Sequence, residues 1–160
     1  MNIEDLNNSE LIENYSKILG LLKKRGVIRT KNLIGDLGEY LAIDCYNNNT
    51  KLPNLQVAPP GTQNIDAISR KGERYSIKSS SGNLTGVFYG LNSPEDDNTD
   101  EKKFEYVIIV CFDSDFRLSK ILELNWNQFL NHKKWHKTMR AWNLSLNKKL
   151  ISDSKIVYEN

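Results

Sequence analysis

Helical and strand-like hydrophobic patterns alternate along the chain in an order that predicts a mixed α/β protein. Near the start, apolar residues recur at helical spacing, which predicts an amphipathic helix over 9–25 with Ser9 as its cap and Gly26 as its stop. A second helix is predicted in "TKNLIGDLGEYLAIDCY", capped by Thr30.

Strand signals follow these helices. "NLQVAPPG" predicts a short strand ended by two prolines, and two further short strands are predicted over 64–69 and 73–79. "FEYVIIVCFD" is the strongest strand signal, and "FRLSKILEL" is predicted to pair with it across "SDSD". "LNSPEDDNTDEKK" between these groups is predicted to be an exposed loop.

The last third of the chain is predicted to combine one helix with strands. Asn125 is the expected cap of a helix through "WNQFLNHKKWHKTM", and "LSLNKKLI" and "KIVYE" are predicted late strands. Helices before and after a run of strands favour a central mixed β-sheet flanked by helices. We expect one domain over residues 1–160, with a core at about 30–130, an N-terminal helix at 9–25, and a C-terminal helix and strands at 126–160.

Composition narrows the class of protein. No apolar run is long enough for a membrane span or a signal peptide, so we expect a cytoplasmic protein without a membrane partner. Cys45 and Cys111 lie in apolar segments without CxxC spacing, which favours buried thiols over a disulfide framework or a zinc site.

The charge is small in total but unevenly distributed. The net charge is +2, acids concentrate in "SPEDDNTDE", and basic residues cluster early and late in the chain. Such separation can form a basic face for a polyanion, although solvated helix faces explain the clusters equally well. The candidate nucleic-acid-binding residues are Lys133, Lys134, Lys137 and Arg140.

The stretch "NIDAISRKGERYSIK" places an acid and a lysine on two short strands. A three-residue loop "RKG" with Gly72 in the left-handed region sets a register in which Asp66, Ser76 and Lys78 share one face. A two-residue loop would mix charged and apolar residues on both faces. The simplest interpretation of Asp66 and Lys78 is a cross-strand salt bridge. The predicted pairs are Ser69–Glu73, Ala67–Tyr75, Asp66–Ser76 and Ile65–Ile77.

A third charged residue falls among small and apolar positions of the second helix. Glu39 lies on a stripe with Gly35 and Ala42, which would let another backbone come close to the helix. A carboxylate in that setting needs a partner, either an arginine or a metal ion. Mg²⁺ or Mn²⁺ fits, because Mg²⁺ is often held by one or two carboxylates plus a substrate phosphate. Lys78 would then orient a water and offset charge on the phosphate.

At these residues the chain resembles the PD-(D/E)xK nuclease superfamily over about 30–112. "GDLGEYLAIDCY" resembles the first core helix, "NID" the strand bearing the first acid, and "SIK" the (D/E)xK half-motif. The resemblance implies a restriction-endonuclease-like αβββαβ core and hydrolysis of phosphodiesters with a divalent metal. It implies metal ligation by Asp66, Glu39 and the Ile77 main-chain carbonyl, and it makes Lys78 the catalytic lysine beside Ser76.

Two positions depart from the family pattern. Ile65 replaces the motif proline, and Ser76 replaces the motif acid with a weaker, neutral oxygen ligand. We therefore expect a Mg²⁺-dependent DNA endonuclease, in restriction or another form of defence, acting as a homodimer or with a partner subunit. The alternative is an inactive nuclease-fold module that binds nucleic acid or serves in a larger complex.

Other polar residues receive smaller roles. Gln63 is either a polar helper or a loop-positioning residue. His132 and His136 are predicted four apart on one helix, where a surface or phosphate-contacting pair is favoured over zinc because the intervening "KKW" is basic.

Overall fold

The computed structural model describes residues 1–160, which divide into two compact units. The first unit is Met1–Leu37 and the second is Gly38–Asn160. The candidate catalytic residues all fall in the second unit. That the two units together make one domain stays a prediction.

The first unit contains a short 3-10 turn, Ile3–Asp5, and the helix α1, Asn8–Lys24. The predicted cap at Ser9 is wrong by two residues. Asn7 is the cap, since its side chain accepts from the Glu10 N–H at 3.1 Å while the Glu10 carboxylate accepts from the Asn7 N–H at 2.9 Å. Gly26 ends the helix as predicted, with φ of +73°.

The helix α2, Leu33–Asn47, begins later than predicted. Thr30 does not cap it; the Asn32 side chain accepts from the Gly35 N–H at 3.1 Å. Asp36 holds the preceding chain outside the helix, because its carboxylate accepts from the backbone N–H groups of Arg29 and Thr30. Burial opposes ionisation of Asp36, but these hydrogen bonds outweigh it and the pKa lies below its usual value.

A mixed six-stranded sheet forms the centre of the second unit, as the sequence predicts. Its order is β1-β2-β3-β4-β5-β8, and only β3 and β4 run parallel. A separate two-stranded sheet pairs β6 with β7. The strands are β1 Leu55–Val57, β2 Ala67–Ser69, β3 Arg74–Ser80, β4 Tyr106–Phe112, β5 Leu118–Asn125, β6 Lys134–His136, β7 Ala141–Asn143 and β8 Lys155–Glu159.

Two faces of the sheet pack differently. On one face, Gly38 of α2 lies against Ser79 and Val110, and the Tyr46 hydroxyl donates to Glu123 at 2.5 Å. On the other face, helices α3, Trp126–His132, and α4, Lys148–Asp153, cover an aromatic core. That core contains Phe88, Phe104, Val107, Ile109, Leu122, Leu124, Trp126, Phe129, Leu144 and Leu150.

The connection from β3 to β4 has no helix, so the second helix of the expected αβββαβ core is missing. Residues 81–105 form an irregular crossover, consistent with their richness in Gly, Ser, Asp and Asn. Parallel strands need such a long connection, although a helix usually supplies it. Here Phe88 and Phe104 anchor the crossover in the core, and isolated bridges join Leu84 to Ser145 and Phe88 to Trp142.

The C-terminal third differs from prediction in two elements. The helix predicted through residue 139 stops at His132, and the next residues form the β6–β7 hairpin around Trp135 and Trp142, which meet edge to face with ring centroids 5.1 Å apart. The predicted strand "LSLNKKLI" instead contains α4, capped by Asn147, whose side chain accepts from the Leu150 N–H at 2.9 Å. The predicted β4–β5 hairpin and the final strand β8 are confirmed.

Candidate active site

The predicted hairpin register is confirmed where β2 pairs with β3, and it breaks at Asp66. Ala67 pairs with Tyr75, and Gly72 has φ of +82° in the turn. The Asp66–Ser76 and Ile65–Ile77 pairs do not form, because β2 begins only at Ala67. The Asp66 N–H donates to the Tyr75 carbonyl at 2.8 Å, one residue out of register.

The carboxylate of Asp66 replaces a backbone hydrogen bond between β2 and β3 that the unformed pairs would have made. It accepts from the Ile77 N–H at 2.7 Å, and the Asp66 carbonyl accepts from the Ala58 N–H at 2.9 Å. Both bonds hold this residue in a fixed position at the end of β2. In a strand, the N–H and carbonyl of one residue point to the same side. The Ile77 carbonyl therefore points towards the side on which Asp66 lies, past the end of β2.

Asn64 explains why the strand stops there. Its φ of 61° is in the left-handed region, which Asn tolerates better than most residues, and it turns the chain away from β3. The Asn64 side-chain amide donates to the Tyr89 carbonyl at 2.6 Å. Gln63 lies on the same loop, with its Oε1 only 2.6 Å from where a Cβ on Gly90 would be. Gln63 therefore lies against Gly90, and the choice between its two expected roles stays a prediction.

Lys78 lies half-buried on β3, facing the aromatic core. Its Nζ donates to the Val87 carbonyl at 3.0 Å and lies 4.8 Å from the centroid of the Phe88 ring. Burial lowers the pKa of Lys78 below its usual value, while the negative charges of Asp66 and Glu39 act in the opposite direction. Both carboxylates therefore lie within electrostatic range of the ammonium group, and the structure brings the three residues together.

Glu39 is brought to the sheet by the residue before it. A Cβ built on Gly38 would lie 1.8 Å from the Ser79 Oγ, so α2 approaches β3 where only glycine fits. The sequence predicted a close approach at Gly35 and Ala42. At Gly35 this was wrong, because a Cβ there would meet only the Asn32 side chain, whereas Ala42 is fully buried. The contact of Gly38 with Ser79 fixes α2 against β3 one residue from Glu39 and one residue from Lys78, and the negative charge of Glu39 acts on Lys78.

Ser76 and Ser79 are the two buried side chains whose hydroxyls have no hydrogen-bond partner. Ser76 is 0% exposed, so its hydroxyl meets no water-sized space. A role for Ser76 as a metal ligand stays a prediction, and it would require the surrounding side chains to move.

The oxygen donors near Lys78 come from side chains and from one main-chain carbonyl. No three His, Cys, Asp or Glu side chains cluster tightly enough to hold a metal without other ligands. Two carboxylates and one carbonyl remain, from Glu39, Asp66 and Ile77. This set fits Mg²⁺ or Mn²⁺, because Mg²⁺ keeps several waters and commonly takes one or two protein carboxylates.

The four predicted nucleic-acid-binding residues do not form one group. Lys133 lies within the fold, with its Nζ 3.6 Å from the Asp100 carboxylate and 3.8 Å from the centroid of the Trp142 ring. Lys134, Lys137 and Arg140 are exposed on the β6–β7 hairpin, and Arg140 has φ of 48° in its turn.

The two histidines are not on one helix as predicted. His132 ends α3 and its Nε2 lies 2.6 Å from the Asp153 carboxylate, while His136 is on β6 and accepts from the Met139 N–H at 3.1 Å. Each ring therefore has its own partner. Both predicted thiols, Cys45 and Cys111, are half-buried and unpaired with each other.

A cavity of about 770 Å³ lies elsewhere in the second unit and includes none of the three candidate catalytic residues. Its two carboxylates already have partners. Glu73 accepts from the Ser69 hydroxyl at 2.9 Å and Glu123 from the Tyr46 hydroxyl. Both acids of this cavity therefore accept hydrogen bonds from side chains of the same unit.

Sequence reasoning missed the crossover residues that complete the site. The Val87 carbonyl and the Phe88 ring contact Lys78, yet their segment "SSSGNLTGVFYG" is rich in glycine and serine and received no role in the sequence analysis. Asn64 carried a usable signal, because an asparagine directly before a short strand is a frequent left-handed position.

No known protein family matches the chain, and no curated protein matches it. No helix of the structure has the length and apolarity needed to cross a membrane.

Proposed function

We propose that the chain is a divalent-metal-dependent endonuclease that hydrolyses DNA phosphodiester bonds, and that its fold is a variant of the PD-(D/E)xK nucleases. The observation that carries the proposal is the position of Lys78. A half-buried ammonium lies in the field of two carboxylates, from Glu39 and Asp66, at the point where β2 leaves β3 unpaired. Groups with opposed charges and a burial-shifted pKa are typical of catalytic sites.

Glu39, Asp66 and the Ile77 carbonyl would hold Mg²⁺ or Mn²⁺. Such an ion polarises a phosphodiester and lowers the pKa of a bound water. The hydrogen bond from Ile77 fixes the carboxylate of Asp66. Fixed carboxylates need no reorganisation when charge develops.

Lys78 would position the attacking water and neutralise the charge that grows on the phosphate. An ammonium group has three donors, and Lys78 uses one on the Val87 carbonyl at 3.0 Å. Its other two donors can serve a water and a phosphate oxygen. The lowered pKa of Lys78 also makes proton transfer from this group easier than from an exposed lysine.

The β6–β7 hairpin supports DNA as the substrate. Lys134, Lys137 and Arg140 are exposed on it. The hairpin is linked to the site, because the Phe88 N–H donates to the Trp142 carbonyl of β7 at 2.7 Å and the neighbouring Val87 carbonyl accepts from Lys78. Exposed cations on a hairpin that is linked to the site in this way would bind backbone phosphates.

Plasmid DNA with Mg²⁺ tests the proposal directly. The wild-type chain should nick supercoiled DNA, and Lys78→Ala should abolish nicking. Lys71→Ala is the matched control, because it removes an exposed lysine from the β2–β3 turn and should leave nicking unchanged. Equal nicking by wild type and Lys78→Ala, or no nicking by wild type with either metal and with varied DNA substrates, would refute the proposal.

A second candidate function is favoured by the buried serine at the motif position. With Ser76 in place of an acid and no cluster of three metal-binding side chains, the fold could serve as a non-catalytic module that binds nucleic acid. Salt-sensitive DNA binding with no metal-dependent cleavage would select this function.

A further inference from the structure

Helix α1 carries an apolar face with several exposed large side chains. None of its 17 residues is buried, although the helix has the capping and amphipathic pattern of one that packs. Isolated helices of this length are marginal in water, so most helices gain stability from burial of the apolar face. The exposed fractions are Leu11 37%, Ile12 67%, Tyr15 55%, Ile18 49% and Leu21 51%.

The spacing of this face fits a helix-helix seam. The exposed Leu11, Tyr15 and Ile18 and the half-buried Leu22 alternate between four- and three-residue steps, which is the a/d repeat of a coiled coil. The polar positions lie on the opposite side, where Lys17 pairs with Glu13 at 2.8 Å.

The charges along α1 favour a second copy in the opposite direction. Glu10 and Glu13 lie in its first half, and Lys23, Lys24 and the following Arg25 lie at its end. Two antiparallel copies put the acidic end of each helix beside the basic end of the other, whereas parallel copies put like charges together. The antiparallel arrangement also opposes the two helix dipoles favourably.

The available area is near the minimum for a specific contact. The exposed apolar side chains offer roughly 500 Å² per helix, or about 1,000 Å² in a pair, which is at the low end for stable interfaces. An interface of that size is typically weak, with a dissociation constant of about micromolar.

We propose that α1 is a self-association surface through which two copies of the chain pair as antiparallel helices. The seam places Leu11 opposite the partner's Leu22 and Tyr15 opposite the partner's Ile18, so the contact is the same for both copies. The observation is independent of the proposed nuclease activity, and its test does not involve DNA.

Sedimentation velocity across micromolar concentrations of the full chain provides the first test. The wild type should shift from monomer to dimer. Ile18→Lys should remain monomeric at every concentration while its circular dichroism stays native, because the Ile18 side chain is exposed. Gly20→Lys is the matched control, since a Cβ there meets nothing within 4 Å and the position lies away from the seam. This control should dimerise as the wild type does.

Disulfide cross-linking tests the direction of pairing. A mixture of Leu11→Cys and Leu22→Cys should cross-link on oxidation, with the wild-type chain as the control for Cys45 and Cys111. Leu11→Cys alone should not, because antiparallel pairing separates the two copies of position 11 by about 16 Å along the axis. A wild type that is monomeric throughout, an Ile18→Lys variant that still dimerises, or efficient cross-linking of Leu11→Cys with itself would overturn the proposal.

Discussion

Gly38 is the residue whose replacement tests most sharply how the fold positions the site. In Gly38→Ala the new methyl would lie 1.8 Å from the Ser79 Oγ, 3.1 Å from the Ser79 Cβ and 3.6 Å from the Val110 Cβ. Rotation of the serine can remove the first clash, but the second requires α2 and β3 to separate. Overpacking of this kind costs about 1–3 kcal/mol. Because alanine in a helix returns about 1 kcal/mol, we expect a net loss of about 1 kcal/mol.

Urea denaturation followed by tryptophan fluorescence measures this change in the free energy of unfolding. Ser79→Ala alone should be close to neutral, because the lost hydroxyl has no hydrogen-bond partner. The double variant Gly38→Ala/Ser79→Ala should be more stable than Gly38→Ala, since one of the two clashes is gone. Gly20→Ala is the control, because its methyl enters open space and should not destabilise the chain.

The same substitution has a functional consequence. Gly38 and Ser79 are adjacent in sequence to Glu39 and Lys78, so separating α2 from β3 moves the carboxylate away from the ammonium. A misplacement of about 1 Å can lower a reaction rate by about 100-fold. DNA cleavage by Gly38→Ala should therefore fall even where the variant is fully folded. A variant as stable and as active as wild type would refute this account of the helix-sheet contact.

Three further predictions concern ionisable groups. Lys78→Met should abolish cleavage yet be at least as stable as wild type at neutral pH. Its gain in the free energy of unfolding should shrink towards about pH 10, because wild-type Lys78, with its lowered pKa, loses its buried charge before the unfolded chain does. Urea titrations at several pH values measure this difference. Hydrogen bonds from Arg74 lower the pKa of Glu105 to about 2. The difference in the free energy of unfolding between wild type and Glu105→Gln should therefore be largest above about pH 4.3 and vanish as the pH falls towards 2. A difference that does not change with pH would contradict this. Lys137→Ala should reduce the salt slope of DNA binding by about one, whereas Lys133→Ala should chiefly lower the melting temperature, because Lys133 contacts Asp100 and Trp142.

Local chemistry made much of the fold predictable. Alternating and β-branched patterns identified β3, β4, β5 and β8, and the left-handed Gly72 set the correct register between β2 and β3. The mixed sheet follows from these elements. Glycine, β-branched residues and turn residues act through their own backbone preferences, so the sequence alone carries that information.

Tertiary contacts decided the elements that were mispredicted. "KKWHK" has helical spacing, but Trp135 pairs with Trp142 across a hairpin, a contact that no local pattern reveals. The crossover without a helix depends on Phe88 and Phe104 reaching the core from a segment that otherwise has the composition of a loop.

The charged residues of the candidate site could be predicted from the sequence, but the backbone contacts that position them could not. Asp66, Lys78 and Glu39 stood out because charges appeared where burial was expected. Their actual geometry depends on a strand that begins at Ala67 and not at residue 64, and on a glycine next to Glu39. Such offsets of a few residues arise from packing between distant segments, which hydrophobic periodicity does not resolve.

Binding of Mn²⁺ in the absence of DNA tests the central claim most directly. Wild type should bind the ion. Asp66→Asn keeps an oxygen that can accept from the Ile77 N–H, yet it should bind the ion at least about tenfold more weakly. Even substitutions of residues that only support metal ligands cause a loss of this size. Lys78→Met should bind at least as tightly as wild type, because it removes a neighbouring positive charge. Equal Mn²⁺ affinity in wild type and Asp66→Asn would contradict the account.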